Sequence, residues 1–255
     1  MAFDMDDTLT HNGSLPSSIL MALEKLQSAG IFTVLVTGRP AGWADALVKL
    51  LPFDAVVAEN GAVLFWWPQG KAKRQTGVEP KRLFWSNQGY TPMRPDDLQE
   101  LLDPICTAVL MKFPKTRVAS DQPYRIYDLA IDFAEEVRPP LGLTEARDIQ
   151  KIFESFGATA KISSIHVNGW FGNFSKVDGL KRVLTEYQMN LKEHVIYMGD
   201  SPNDGPLFET AGISIGVANV APFLGVVEFC KPQFVTAGES AKGSIEAIEH
   251  FLRQR

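Results

Sequence analysis

The first 67 residues alternate strand-like runs with helical periodicity, and that alternation leaves few folds open. Residues 15–30 (LPSSILMALEKLQSAG) place Ile19, Leu20, Leu23 and Leu26 on one helical face. Pro16 suits the first turn of this helix and Gly30 its stop. The run IFTVLVTGRP comes next, rich in β-branched residues and continuous in apolar character up to a glycine turn, as expected of a strand buried on both faces. Residues 40–51 return to helical spacing, and 54–67 (DAVVAENGAVLFWW) read as strand, turn at Asn60-Gly61, and strand. The order β-α-β-α-β is that of a parallel sheet with helices packed on its faces.

The pattern then breaks and later resumes. Residues 70–94 are rich in Lys, Arg, Pro and Gly and read as a connection. Residues 95–113 read as a helix kinked or divided at Pro104. Residues 124–133 and 160–170 read as strands around a helix at 143–156, with Thr144 as its cap. After residue 175 the strand-helix alternation returns: a helix in SKVDGLKRVLTEYQ, a buried strand in HVIYMGD, and a short helix in PLFETAG. A strand in GISIGVAN, an edge strand in CKPQFVT and a closing helix complete it. The expected fold is therefore α/β: a doubly wound, mostly parallel Rossmann-like core formed by 1–80 and 172–255, with an inserted α+β domain at 81–171.

Composition narrows the function. A net charge of -5 and a pI near 5.5 argue against a nucleic-acid partner, which a basic stripe would serve. No apolar run is long enough to span a membrane, and the chain does not open with a basic region followed by an apolar one. Cys106 and Cys230 stand far apart, which fits a reducing cytoplasm. The four histidines lack zinc-ligand spacing.

Ligands of open parallel sheets bind beyond the carboxyl ends of the strands. Four polar stretches fall there: FDMDDT (3–8), VTGRP (36–40), Ser175-Lys176 and YMGDSPND (197–204). The first stretch crowds Asp4, Asp6 and Asp7 together, a cluster that needs a compensating charge. It is no calcium loop, since the twelfth position from Asp4 is Leu15 and not glutamate.

This combination resembles the haloacid dehalogenase superfamily of aspartate-nucleophile phosphotransferases, over residues 1–80 and 172–255. The insertion matches the place of its type 2 (C2, subclass IIB) cap, as in mannosyl-3-phosphoglycerate and sucrose-phosphate phosphatases. The resemblance implies that Asp4 is the nucleophile, Asp6 the general acid and base, and Lys176 the balancing cation. It implies a Mg²⁺ cofactor on Asp4, the Asp6 carbonyl and Asp200, with Asp204 supporting it directly or through water. Thr37, Gly38, Arg39 and Asn203 are the expected phosphate contacts, with Arg39 equally suited to a salt bridge within the scaffold. Two departures stand out. Asp7 replaces the family's usual glycine, which is tolerable where the backbone needs no positive φ. Only three residues precede Asp4, so either the first strand is a stub or a natural start lies upstream of Met1.

The insertion supplies the expected specificity residues, chiefly His166 and Asn168 in HVNGWFGN, beside Trp170, Asn173 and the Tyr124-Arg125-Tyr127 cluster. Trp170 and Phe171 also suit simple packing. The implied activity is Mg²⁺-dependent hydrolysis of a small phosphorylated sugar or glycoside, such as mannosyl-3-phosphoglycerate, in the cytoplasm. A sugar phosphomutase and a non-catalytic sugar-phosphate sensor are the alternatives.

Overall fold

The computed structural model describes residues 1–70, 78–85, 95–226 and 229–254. In chain order the elements begin with β1 (Ala2–Phe3), α1 (Ser17–Ser28), β2 (Val34–Val36), α2 (Ala41–Leu50), β3 (Ala55–Ala58), β4 (Val63–Trp66) and β5 (Lys81–Phe84). Next come α3 (Pro95–Lys112), β6 (Arg117–Val118), β7 (Asp128–Asp132), α4 (Leu143–Ser155), β8 (Thr159–Ile162) and β9 (His166–Trp170). The chain closes with α5 (Lys176–Glu186), α6 (Leu191–His194), β10 (Ile196–Gly199), α7 (Gly205–Thr210), β11 (Ile213–Gly216), β12 (Phe234–Val235) and α8 (Ser240–Arg253).

Eight strands form the large sheet in the order β12-β11-β10-β1-β2-β3-β4-β5. The pairs from β12 to β3 are parallel, and β4 and β5 are added antiparallel. Strand alternation sends residues to both faces. Leu35 and Val56 point into a core with Ile19, Leu23, Leu26 and Ile248 of α1 and α8. Val34, Val36 and Val57 point into the opposite core, with Leu180, Val183, Leu207 and Phe208 of α5 and α7. The sheet is doubly wound, as the sequence pattern implies, and its switch point lies at β1, between β2 and β10.

A second, antiparallel sheet runs β6-β7-β9-β8, backed by α3 and α4 around Ile105, Val109, Ile149 and Phe153. Five details differ from the sequence reading, the first being that Thr144 lies inside α4, whose N-cap is Gly142. Residues 81–84, assigned there to the insertion, pair with β4 and so extend the large sheet over an otherwise open edge. Residues 160–170 are not one strand but the hairpin of β8 and β9, turned at 163–165, where Ser163 Oγ accepts the His166 N–H. Helix α3 runs on through Pro104, because burying Leu102, Ile105 and Val109 outweighs one lost backbone bond. The strand after α1 is confined to Val34–Val36. Most of the connection expected at 70–94 lies outside the described residues.

Candidate active site

β1 is only two residues long, yet it sits at the centre of the sheet, so Asp4 emerges at its carboxyl end beside the ends of β2 and β10. The Asp4 N–H donates to the Met198 carbonyl at 2.9 Å, which carries the parallel ladder one residue past the strand. Asp200 follows β10 directly and Thr37 follows β2. Lys176 is the first residue of α5, whose N-cap Ser175 accepts the Asp178 N–H. Helix α5 approaches the turn after β3 at two glycines. A Cβ on Gly179 would lie 2.6 Å from Val57 Cγ1 and 2.7 Å from Gly61 Cα, and Gly61 has φ +111. That close approach brings Lys176 into the site.

Lys176 Nζ donates to Asp4 Oδ1 at 2.6 Å and to Asp204 Oδ1 at 2.8 Å. Asp204 is fully occupied by donors. Tyr197 Oη also donates to its Oδ1 at 2.6 Å, and the Asp200 and Ser201 N–H groups donate to Oδ2 at 3.0 and 3.1 Å. Among the described residues Asp200 has a single weak side-chain donor, the Thr8 hydroxyl at 3.3 Å. Ligand oxygens of Asp4, Asp200 and Asp204 all lie within 4.8 Å of one another, and all three residues are buried.

The electrostatics reflect three carboxylates facing one ammonium. Burial pushes the Asp4 carboxyl up to about 7, against the pull of Lys176. Burial and then Asp204 push Asp200 well above the usual carboxylate range. Lys176 is held above the ordinary lysine value by Asp204 and Asp4 despite its own desolvation. An all-oxygen donor set with uncompensated negative charge is what a hard dication requires, so these residues fit one. With Asp204 saturated, the free lone pairs belong to Asp4 and Asp200.

Asp6 points elsewhere. Arg39 grips it with two parallel bonds, Nε to Oδ2 at 2.9 Å and an Nη to Oδ1 at 2.8 Å. The same guanidinium reaches Asp121 at 3.1 Å and Glu135 at 2.6 Å, both in the inserted segment, and lies over the Trp43 ring. Arg39 therefore serves as the scaffold salt bridge, spanning the large and small sheets, with three carboxylates around it. Thr37 is buried, and its hydroxyl accepts the Arg39 N–H at 3.0 Å. Asn203 donates to Asn60 Oδ1 at 3.0 Å. Asp7 has φ +54, so the backbone does adopt the left-handed conformation that the sequence reading set as the condition against a non-glycine residue. Aspartate is among the side chains that tolerate it best.

Of the expected specificity residues, His166, Asn168, Trp170 and Tyr127 are buried above this floor, whereas Tyr124 and Asn173 are exposed on the surface. His166 Nε2 lies 2.9 Å from Glu135 Oε2, and Asn168 donates to Asp128 Oδ2 at 3.0 Å. Trp170 stacks on Phe174 with ring centroids 5.3 Å apart, the packing role left open by the sequence. Asp121, Asp128 and Glu135 were not singled out from the sequence, although all three join the network. A cavity of about 440 Å³ opens beside Asp6, lined by Asp7, Thr10, Arg39, Glu135, Arg138 and Ser164 among others.

Comparison with known proteins places this geometry in context. The family of haloacid dehalogenase-like hydrolases matches residues 1–83 and 144–225, more than half of the chain. A phosphoglycolate phosphatase of Methanobrevibacter smithii is 28% identical over 257 residues, spanning 99% of this chain and 97% of its own. Its counterpart in Methanosarcina acetivorans is 26% identical over 252 residues, spanning 98% and 94%. Among solved structures, protein 0175 of Thermoplasma acidophilum superposes with a TM-score of 0.69 at 19% identity, covering 98% of this chain and 96% of that one. The sucrose-phosphatase of Synechocystis sp. PCC6803, solved with sucrose and phosphate, gives 0.64 at 19% identity with the same coverage.

Proposed function

The chain belongs to the haloacid dehalogenase-like hydrolases; on that premise we propose that it is a phosphatase, hydrolysing a small phosphomonoester through a phosphorylated Asp4 with Mg²⁺ as cofactor. The observation that carries the reading is the convergence of Asp4, Lys176 and Asp200 from three distant segments. The side chains of Asp4 and Asp200, with the Asp6 carbonyl, would hold the cation. Its chemistry is to keep the nucleophilic carboxylate ionised and to balance charge on the phosphoryl oxygens.

The chain's own residues supply the steps. An Asp4 oxygen attacks phosphorus, a P–O bond forms, and the bond to the leaving oxygen breaks. Asp6 gives up one of its bonds to Arg39, takes a proton from solvent and delivers it to that oxygen. A water then attacks the same phosphorus, Asp6 takes the proton, and the Asp4–phosphorus linkage breaks to release inorganic phosphate. Lys176, Thr37 and Asn203 hold the phosphoryl oxygens, where positioning and charge do most of the catalysis.

Two substrate classes have support. Relatives matched end to end carry the name phosphoglycolate phosphatase, which favours a short phosphorylated hydroxy acid. The buried polar groups Asn168, Asp128 and Asn60 suit a polyol, which favours a sugar phosphate. Phosphate release from 2-phosphoglycolate, hexose phosphates and mannosyl-3-phosphoglycerate, with and without Mg²⁺, separates them by kcat/KM. Hydrolysis of none of them, or phosphate returned to sugar and not to water, overturns the proposal.

A further inference from the structure

Glu59 ends β3 in an unusual way. Its backbone has φ +44, a left-handed conformation costly for a residue with a side chain, and its carboxylate is wholly buried. The carboxylate makes no direct ion pair among the described residues; its partners are four backbone contacts. Oε1 accepts the Ala41 N–H at 2.8 Å and the Ile126 N–H at 2.9 Å. Oε2 accepts the Ile126 N–H at 3.1 Å and the Tyr127 N–H at 2.6 Å. Ala41 is the first residue of α2 in the large unit, whereas Ile126 and Tyr127 lead into β7 of the small sheet. One side chain thus ties two parts of the fold together.

From Glu59 the hydrogen bonds continue to the candidate site. Arg125, one residue before Ile126, donates to the Gly38 carbonyl at 2.8 Å and pairs with Asp121 and Asp128. Gly38 lies between Thr37 and Arg39, so this bond sets how the small sheet meets the phosphate-binding turn. Asp128 in turn accepts from Asn168 and from Asn60, and Asn60 accepts from Asn203. Hydrogen bonds to a buried carboxyl group are lost, and the group is left unsatisfied, if the donors shift.

We infer that Glu59 is a positioning residue that docks the small sheet onto the Thr37–Arg39 turn and so fixes the closed cleft around the reacting phosphate. The donors are main-chain N–H groups that any residues at 126 and 127 would supply, so the specificity of the contact resides in Glu59. An activity readout of this role rests on the phosphatase reading, and an amide readout does not.

The test compares the intact protein with Glu59→Gln and Glu59→Asp. Hydrogen exchange at the Ile126 and Tyr127 amides reports docking, and thermal melting reports the fold. Steady-state kinetics use 2-phosphoglycolate or whichever phosphomonoester the protein cleaves, set against acetyl phosphate. Acetate leaves without a proton, so acetyl phosphate needs the docked cleft least. The expected result is faster exchange at both amides, a loss of about tenfold or more in kcat/KM for the ester, and a change within about twofold for acetyl phosphate. Unchanged exchange, equal losses on both substrates, or failure of both variants to fold overturns the positioning role. If the unaltered protein cleaves neither substrate, the phosphatase reading fails and the amide exchange alone decides the role of Glu59.

Discussion

Lys176 Nζ lies 2.6 Å from Asp4 Oδ1 across a sequence separation of 172 residues, and the pair is buried. Asp4→Asn removes the attacking oxygen, and phosphate release should fall on the order of 10⁴-fold or more with the circular dichroism spectrum unchanged. Lys176→Ala leaves Asp4 and Asp204 without their cation. Urea denaturation should then show a loss of roughly 3–5 kcal/mol, as for a broken buried pair.

Arg39 and Asp6 form a different kind of pair, a two-pronged one that holds both carboxylate oxygens of Asp6. Asp6→Asn should lower kcat by about 10²–10⁴-fold on esters with poor leaving groups. The same variant should cleave acetyl phosphate nearly as well as the unaltered protein. Arg39→Lys keeps the charge but not the planar fork, and kinetics should place it nearer Arg39→Ala than the unaltered protein.

A dication on Asp4 and Asp200 should stabilise the fold as well as permit turnover. Chelation should abolish phosphate release, and Mg²⁺ at a hundred times its dissociation constant should add about 2.7 kcal/mol to unfolding. Thermal melts with and without Mg²⁺ read this directly. Asp200→Asn should show neither the shift nor the activity.

Glu59 gives stability a pH dependence of defined sign. Burial and Asp128 push its carboxyl from an unfolded value of 4.5 up to about 7, against the backbone donors of Tyr127 and Ala41 and the charge of Arg125. The folded state therefore holds the proton more tightly than the unfolded chain. Its contribution is fully present below 4.5, is lost as pH rises toward 7, and is constant above that. Between these values the unaltered protein should lose stability faster than Glu59→Gln, by at most about 1.4 kcal/mol per pH unit. Denaturation curves from pH 4.5 to 8 measure the difference.

Gly61 and Gly179 set how near α5 comes to β3. Gly179→Ala forces a methyl against Val57 and Gly61, and about 1–3 kcal/mol of stability should be lost. Because α5 carries Lys176 at its first position, turnover at a temperature below melting should fall too. A normal rate in a destabilised variant would separate the helix packing from the site.

The core and the floor of the site were legible because their signals are local. Thr37, Lys176 and Asp200 each stand at the end of a strand or the start of a helix that hydrophobic periodicity locates, whereas Asp4, behind a two-residue strand, was marked by the family resemblance. The network above them was not. Arg125 was marked as a candidate, but its partners Asp121 and Asp128, and Glu135 on Arg39, pair through tertiary contact with no motif to mark them. Glu59 follows a core strand and from the sequence could face the cleft, but its partners are main-chain groups, which leave no trace in residue identity. The β8–β9 turn was hidden for a related reason. Ile162, Ile165 and Val167 continue the apolar character through a reversal made by Ser163 Oγ.

The two-residue strand that delivers Asp4 is bordered by β2 on one side and β10 on the other, and β10 begins only at Ile196. During synthesis the amino-terminal half must wait with one edge of its central strand unclaimed until some 190 further residues have appeared. No fragment ending before β10 brings Asp200 and Asp204 to Asp4, so any phosphate release that begins in a growing or refolding chain would be a clock for the pairing of β1 with β10.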